Sequence, residues 1–220
     1  WVLCARTTAR TRYGQESAGV DALGTSSTTI YDARVALAVA SIANAGPGEC
    51  AYLGFQEYED FAGWTLTGVT YDQTDACAGT RSAVLAAGGG SQVSVALAPR
   101  RVDRWFVGCR YRTMPGFTPD GSGLAVSVAI AGGANSVVKH AWTATEGAWV
   151  YVTLPFAVTS VSDGAGGVTL TARNTSARTV YLDAVLVAPL TTAATLRSFD
   201  PDSRQVLAAM DAGGRIKIGR

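Results

Sequence analysis

The chain has 220 residues, of which 48% are hydrophobic and 16% charged, so it can bury a sizeable core and is not a disordered polypeptide. Its net charge of +1 lacks the basic excess typical of nucleic-acid-binding domains. The longest apolar stretch, from Ala33 to Ala43, is shorter than the ~20 residues of a membrane-spanning helix. We therefore expect a folded domain with no nucleic-acid partner and no membrane span.

Residues 1–50 are predicted to be an N-terminal lead-in that attaches the chain to its neighbours. They combine clustered arginines with a Gly/Ser/Thr-rich stretch and an Ala-rich run from Asp32 to Pro47. Asp32 could cap a short helix that ends at Pro47. The alternation of Val35 and Val39 with small residues is instead typical of a strand. The pattern leaves both structures open.

The next part of the chain consists of short apolar or β-branched runs separated by turn sequences such as Pro119-Asp120-Gly121 and Gly132-Gly133. No helical pattern intervenes. This arrangement predicts an all-β fold, an antiparallel β-sandwich of the jelly-roll type, over residues 51–190. In chain order the predicted strands cover residues 83–85, 92–97, 105–113, 124–131, 137–142, 149–155, 168–173 and 179–187.

Alternation within these runs assigns each strand a core side and a second side. Residues 105–111, for example, place Trp105 and Val107 on the core side. The second side carries aromatic and arginine side chains, which suit either of two roles. Aromatic rings stack on sugars, and both residue types are enriched where proteins pack against one another. The candidate glycan-binding or interface residues are Phe106, Arg110, Arg112, Trp142, Trp149 and Tyr151.

Residues 191–220 are predicted to form a Thr/Ala-rich linker followed by a β-hairpin. Its strands are Val206–Met210 and Arg215–Gly219, joined by a Gly-containing turn. An isolated hairpin is only marginally stable in water. We therefore expect this hairpin to pair with another chain or with another copy of itself, which predicts a homo-oligomer.

The sequence lacks the patterns of residues that are typical of a catalytic site. The single histidine, His140, lies within a predicted strand, and the sequence has no nucleophile elbow. The four cysteines include no C-x-x-C pair, so a zinc site is not expected. Cys50 and Cys77 flank the first strand of the sandwich and could pair in an oxidising compartment. We expect that the chain is not an enzyme.

Two segments resemble the first and last strands of galactose-binding-like jelly rolls of the carbohydrate-binding-module type. Residues 58–65, Tyr-Glu-Asp-Phe-Ala-Gly-Trp-Thr, match an opening with an aromatic–acidic pair and a following Gly-Trp. Residues 181–187, Tyr-Leu-Asp-Ala-Val-Leu-Val, match a closing aliphatic strand with one Asp. The resemblance implies a structural calcium held by Glu59 and Asp183. Further candidate ligands are Glu57, Asp60 and the backbone carbonyls near Thr80.

The flanking segments are similar to the connecting pieces of tailed-phage fibres and other virion proteins. The similarity lies in a Thr/Ala linker and a Gly-centred hairpin that ends in Ile-Lys-Ile-Gly. It implies a virion structural protein, such as a tail-fibre, receptor-binding or decoration component. Its partners would be other virion proteins or copies of itself, and its jelly roll would contact host glycans. The alternative is a secreted bacterial carbohydrate-binding module from a larger extracellular protein.

Overall fold

The computed structural model describes residues 4–34, 36–129, 135–159, 161 and 167–218. These residues form eighteen β-strands, and none of them lies in a helix long and apolar enough to cross a membrane. The strands are β1 (Ala5–Arg10), β2 (Glu16–Asp21), β3 (Ser26–Tyr31), β4 (Ala38–Ala43), β5 (Ala51–Leu53), β6 (Trp64–Thr67), β7 (Val69–Asp72), β8 (Ser82–Leu85), β9 (Ser91–Leu97), β10 (Asp103–Thr113), β11 (Gly123–Val128), β12 (Ser136–Ala141), β13 (Val150–Val158), β14 (Val168–Asn174), β15 (Val180–Pro189), β16 (Ala193–Phe199), β17 (Val206–Asp211) and β18 (Ile216–Ile218).

Two antiparallel sheets form the sandwich that the sequence predicts. The middle sheet has the order β13-β10-β15-β8-β7, with β5 also paired to β15. The lower sheet has the order β12-β11-β14-β9-β6. Their facing sides enclose the larger core, in which Trp105 and Leu182 of the middle sheet meet Leu124 and Leu170 of the lower one. The all-β, antiparallel sandwich is thus confirmed.

A third sheet, here called the cover sheet, lies on the other side of the middle sheet. Its strand order, β1-β2-β3-β4-β16-β17-β18, is the order of the chain, and the whole sandwich is inserted between β4 and β16. Ala43 of β4 pairs directly with Ala193 of β16, so the chain leaves and re-enters this sheet at adjacent positions. The lead-in and the C-terminal segment therefore form one structure.

This sheet resolves one open prediction and corrects another. The Ala-rich run forms strand β4. The alternation of its side chains therefore predicted the structure correctly, and the helix capped by Asp32 is not formed. The predicted linker contains β16, and β17 of the hairpin pairs with it. The expectation of an isolated hairpin is therefore wrong, because β16 of the same chain provides the strand with which it pairs, and pairing with another chain stays a prediction.

A second core joins the cover sheet to the middle sheet. It combines Ile42, Leu196 and Met210 from the cover sheet with Phe106 and Leu186 from the middle sheet. Burial of such side chains stabilises a fold by about 1.5–3 kcal/mol each. Part of the outward side of the middle sheet is therefore buried under the cover sheet. Only the rest of that side is open to a ligand.

Candidate functional site

Two acidic side chains are buried between the middle and cover sheets. Glu59 is 6% exposed and Asp183 is fully buried. The pairing of β10 with β15 shifts register beside Asp183, and Ala184 has a φ of 51°, a backbone conformation uncommon for a residue other than glycine. This irregularity places Ala184 in the second core while Leu182 and Val185 stay in the first.

Each carboxylate has one bonded oxygen and one without a partner. Asp183 Oδ2 accepts hydrogen bonds from the backbone N–H groups of Cys77 (2.9 Å) and Ala78 (2.8 Å). Glu59 Oε2 accepts one from the N–H of Gly54 at 2.7 Å. Asp183 Oδ1 and Glu59 Oε1 are buried without a hydrogen-bond partner. Because a buried, unsatisfied acceptor costs free energy, this arrangement calls for a further ligand or a proton.

Burial also changes the acidity of the pair. The pKa of Glu59 is raised to about 8, chiefly by desolvation; the backbone hydrogen bond from Gly54 opposes this rise, and the nearby charge of Asp183 contributes to it. Desolvation likewise raises the pKa of Asp183 to about 7, although the N–H groups of Ala78 and Cys77 oppose the rise. Near neutral pH the folded protein therefore holds protons on this pair, unless a cation replaces them.

The donor set suits a hard cation, because both unpartnered atoms are carboxylate oxygens of the kind that calcium prefers. The other residues suggested by the sequence are engaged elsewhere. Glu57 is exposed and lies 3.7 Å from Arg81, and Asp60 accepts the N–H of Ala62 at 2.9 Å. Within the described ranges no three His, Cys, Asp or Glu side chains are grouped to hold a metal ion.

A buried glutamine organises the loop beside the carboxylates. Gln56 is fully buried, and its Nε2 donates hydrogen bonds to the carbonyl oxygens of Gly54 (2.8 Å), Arg81 (3.0 Å) and Ala78 (3.2 Å). Its Oε1 accepts from the N–H of Thr80 at 2.9 Å. This amide ties the loop between β7 and β8 to the segment that follows β5. No local sequence pattern marks Gln56, because three of its four backbone partners lie more than twenty residues away.

An aromatic cluster, defined as Trp149, Arg112, Tyr181 and Asp75, occupies the outward side of the middle sheet. Arg112 and Tyr181 are directly paired on β10 and β15. The guanidinium group of Arg112 lies 4.1 Å from the centre of the Tyr181 ring and 5.5 Å from that of Trp149. Asp75 forms an ion pair with Arg112 and accepts a 2.9 Å hydrogen bond from Trp149 Nε1. All four are partly exposed, and each is held by at least one other member.

Two further predicted residues, Arg110 and Tyr151, lie next to this cluster but contact the cover sheet. They pair across β10 and β13. Arg110 donates a hydrogen bond to the carbonyl oxygen of Gly214, and the Tyr151 hydroxyl donates one to that of Ala212 at 2.9 Å. The turn between β17 and β18 thus covers this end of the surface, and Arg110 and Tyr151 act in an interface within the chain.

The last two candidates are buried. Phe106 is 3% exposed and belongs to the second core, so it too packs against the cover sheet. Trp142 is fully buried in the sandwich core, where its Nε1 donates to the carbonyl oxygen of Arg173 at 2.9 Å. The assignment of Trp142 to the second side is therefore wrong, because β12 presents its even-numbered residues to the core.

In the described part of the chain, neither His140 nor the pair Cys50 and Cys77 lies in the arrangement that catalysis or a disulfide would require. His140 packs edge-on against Tyr111 at 6.2 Å, and its Nε2 has no hydrogen-bond partner there. Cys50 and Cys77 both carry free thiols, so the disulfide considered for them is not formed.

Comparisons with known proteins give likenesses of fold. No protein-family model matches the sequence, and no curated protein matches it. Among solved structures, the chain is similar to the CBM22-1 xylan-binding domain from Paenibacillus barcinonensis Xyn10C, with 15% identity over 64% of this chain and 93% of that one (TM-score 0.47). It is also similar to TmCBM61 in complex with β-1,4-galactotriose, with 14% identity over 59% of this chain and 90% of that one (TM-score 0.41). A third likeness is to the enzymatically active domain of bacteriophage CBA120 tailspike protein 4, with 13% identity over 62% of this chain and 21% of that one (TM-score 0.40).

Proposed function

We propose that the chain is a non-catalytic carbohydrate-binding component of a tailed-phage or phage-like virion, and that it contacts glycans through the aromatic cluster. The observation that carries the glycan-binding part is the half-exposed indole of Trp149 beside a fixed arginine–carboxylate pair. An indole offers an apolar face to a sugar ring, and the charged pair offers hydrogen-bond donors and acceptors to its hydroxyl groups.

The rigidity of the cluster favours binding. Trp149 and Arg112 share Asp75 as a partner, and Arg112 is also stacked on Tyr181. Side chains that are already ordered lose less conformational freedom when a ligand arrives, and each side chain that need not be immobilised preserves about 0.5–1.5 kcal/mol of affinity. A neutral sugar fits the site, because Asp75 compensates the charge of Arg112.

A glycan array tests this part. Trp149→Ala and Arg112→Ala should each abolish or strongly weaken the binding shown by the unsubstituted protein. Tyr13→Ala is the matched control, because Tyr13 is 63% exposed in the loop between β1 and β2 and is not a member of the cluster. Binding that survives both cluster substitutions, or that the control also removes, would contradict the proposed site.

For the virion part, we propose that the cover sheet attaches the module to its neighbours. It contains both flanking segments, and its edge strands β1 and β18 each have one side without a strand partner among the described residues. Immunogold labelling of purified particles should place the protein on the virion. The alternative, a secreted module, predicts instead that the protein is found in culture supernatant and is monomeric by light scattering.

We further propose that Glu59 and Asp183 hold a structural calcium ion, with backbone carbonyls and water completing its shell. Their unpartnered oxygens support this. The ion would neutralise the pair and link the segment after β5 to β15. Calcium at about a hundred times its dissociation constant should stabilise the protein by about 2.7 kcal/mol. The measurement is thermal unfolding in calcium against EDTA, and Asp183→Asn should lose the difference.

A further inference from the structure

A groove of about 420 Å³ lies where the cover sheet meets the sandwich, and its lining includes no member of the aromatic cluster. We call it the junction groove. Three loops line it, namely the one after β3, the one before Glu59 and the one between β16 and β17. Its volume falls within the ~300–1,000 Å³ typical of small-molecule sites.

Three of the residues that line the groove have largely apolar side chains, namely Tyr58, Leu37 and Pro201. The Tyr58 hydroxyl accepts a 2.6 Å hydrogen bond from the backbone N–H of Phe199, and the two rings meet edge-on at 6.1 Å. The tyrosine ring is therefore held against the cover sheet, and it can support the apolar face of a small ring.

The charged side chains that line the groove differ in whether they already have partners within the protein. Asp32 is 3% exposed, and its Oδ1 accepts the backbone N–H groups of Ala36 (2.6 Å) and Leu37 (2.8 Å). Glu57 lies 3.7 Å from Arg81. Asp32 is thus buried and bonded to the backbone, whereas Glu57 is exposed and its charge is balanced by Arg81.

The arginines of the groove are different. Arg34 and Arg204 are both exposed, and neither forms an ion pair with another described residue. Asp202 is the remaining charged group on the rim. Among the exposed charged groups of the groove, Arg34, Arg204 and Asp202 are thus the ones without an ion-pair partner among the described residues.

Arg204 is also held in a costly backbone conformation. Its φ is 59°, in the left-handed region that residues other than glycine adopt rarely. The surrounding turn imposes it, since the N–H of Arg204 donates to the carbonyl oxygen of Asp200 at 2.9 Å and that of Ser203 to Asp200 Oδ1 at 2.6 Å. Glycine would fit this position with less strain. Strained residues of this kind are often found at functional sites, which motivates the role inferred for Arg204 below.

We infer that the junction groove is a second binding site, which takes an acidic sugar residue. The carboxylate of the sugar pairs with Arg34 and Arg204, its ring lies on Tyr58, and a hydroxyl group donates to Asp202. Arginine suits this role because its planar donors match a carboxylate. The inference does not depend on glycan binding at the aromatic cluster, because the two sites share no residue.

The test is calorimetric or NMR titration of the full chain with glucuronate and N-acetylneuraminate, beside glucose and inorganic phosphate. The acidic sugars should bind and glucose should not. Arg34→Gln and Arg204→Gln should each weaken binding by about tenfold or more, the loss expected for a charge-assisted hydrogen bond. Arg104→Gln is the control, because Arg104 is exposed on β10 and does not line the groove.

Arg204→Gly separates the role in binding from a role in folding. It should raise the melting temperature, because it relieves the backbone strain, and it should abolish binding of the acidic sugars. Three results would overturn the inference: no binding of either acid, equal binding of inorganic phosphate, or unchanged binding by both glutamine variants.

Discussion

In calcium-free solution, the protein should lose stability as the pH rises from about 5 to 9, and Glu59→Gln should remove roughly half of that loss, because Asp183 contributes the rest. The pKa of Glu59 is raised from 4.5 to about 8 in the folded state because the side chain is buried beside Asp183. The unfolded chain releases this proton near pH 4.5, whereas the folded chain keeps it to about pH 8. Folding is therefore favoured at low pH, and this contribution disappears as the pH rises through about 8.

The size of the effect follows from the shift. One pKa unit corresponds to about 1.36 kcal/mol, so ionising Glu59 in the folded state costs up to about 5 kcal/mol at a pH above both values. Asp183 adds a loss in the same direction, since its pKa is raised from 3.8 to about 7. Natural domains are stable by about 5–15 kcal/mol, so the change is large enough to measure by unfolding.

Gln at position 59 is neutral at every pH. Its amide oxygen can still accept the N–H of Gly54. Urea unfolding in EDTA, followed by tryptophan fluorescence at each pH from 5 to 9, gives the free energy of unfolding. We expect the variant to match the unsubstituted protein at pH 5 and to exceed it at pH 9.

The matched control is Asp60→Asn, because Asp60 is exposed and only caps a turn through the N–H of Ala62. It should keep the pH dependence of the unsubstituted protein. A free energy of unfolding that stays constant from pH 5 to 9 in EDTA would refute the reasoning, as would a Glu59→Gln variant with an unchanged slope. Adding calcium should reduce the loss at high pH, because the cation replaces the protons.

Three further outcomes are expected. Phe106→Ala should reduce the free energy of unfolding by about 3–5 kcal/mol in urea titrations, because Phe106 fills the second core between the middle and cover sheets. Gln56→Leu should lower the free energy of unfolding by about 3 kcal/mol or more in the same titrations, because it leaves the Thr80 N–H and three carbonyl oxygens without a partner. A decrease below about 1 kcal/mol would show that water replaces the amide. Cys109, which is fully buried and whose pKa is raised by desolvation, should not react with a thiol reagent until the protein unfolds; the readout is mass spectrometry of the labelled peptides in native buffer and in urea.

Part of the candidate site could be predicted from sequence. Arg112 and Trp149 lie on the outward side of their strands, as alternation predicts, because a strand places successive side chains on opposite faces. Tyr181 and Asp75 join them only through the pairing of β15 with β10 and the path of the β7–β8 loop. Such partners are distant in sequence, and no local pattern identifies them.

The alternation of apolar and polar residues does not identify the buried face of every strand. In the run that ends at Trp142, Val137 and Val138 are adjacent, so either face of the strand could be apolar. The lower sheet places Val137 outward, at 51% exposure, and buries Trp142. Shifting the pattern by one residue exchanges the two faces completely, and only packing against the middle sheet selects between them.

What the amino-acid sequence determined by itself is the β-rich character, the alternation of strands and turns and the placement of Glu59 and Asp183 near the two ends of the sandwich. These features depend on residues that are neighbours along the chain. The cover sheet, the burial of the carboxylate pair and the junction groove depend on contacts between the two flanks and the centre, such as β4 with β16. Such contacts join residues that are far apart in the sequence, and no local pattern of side chains identifies them.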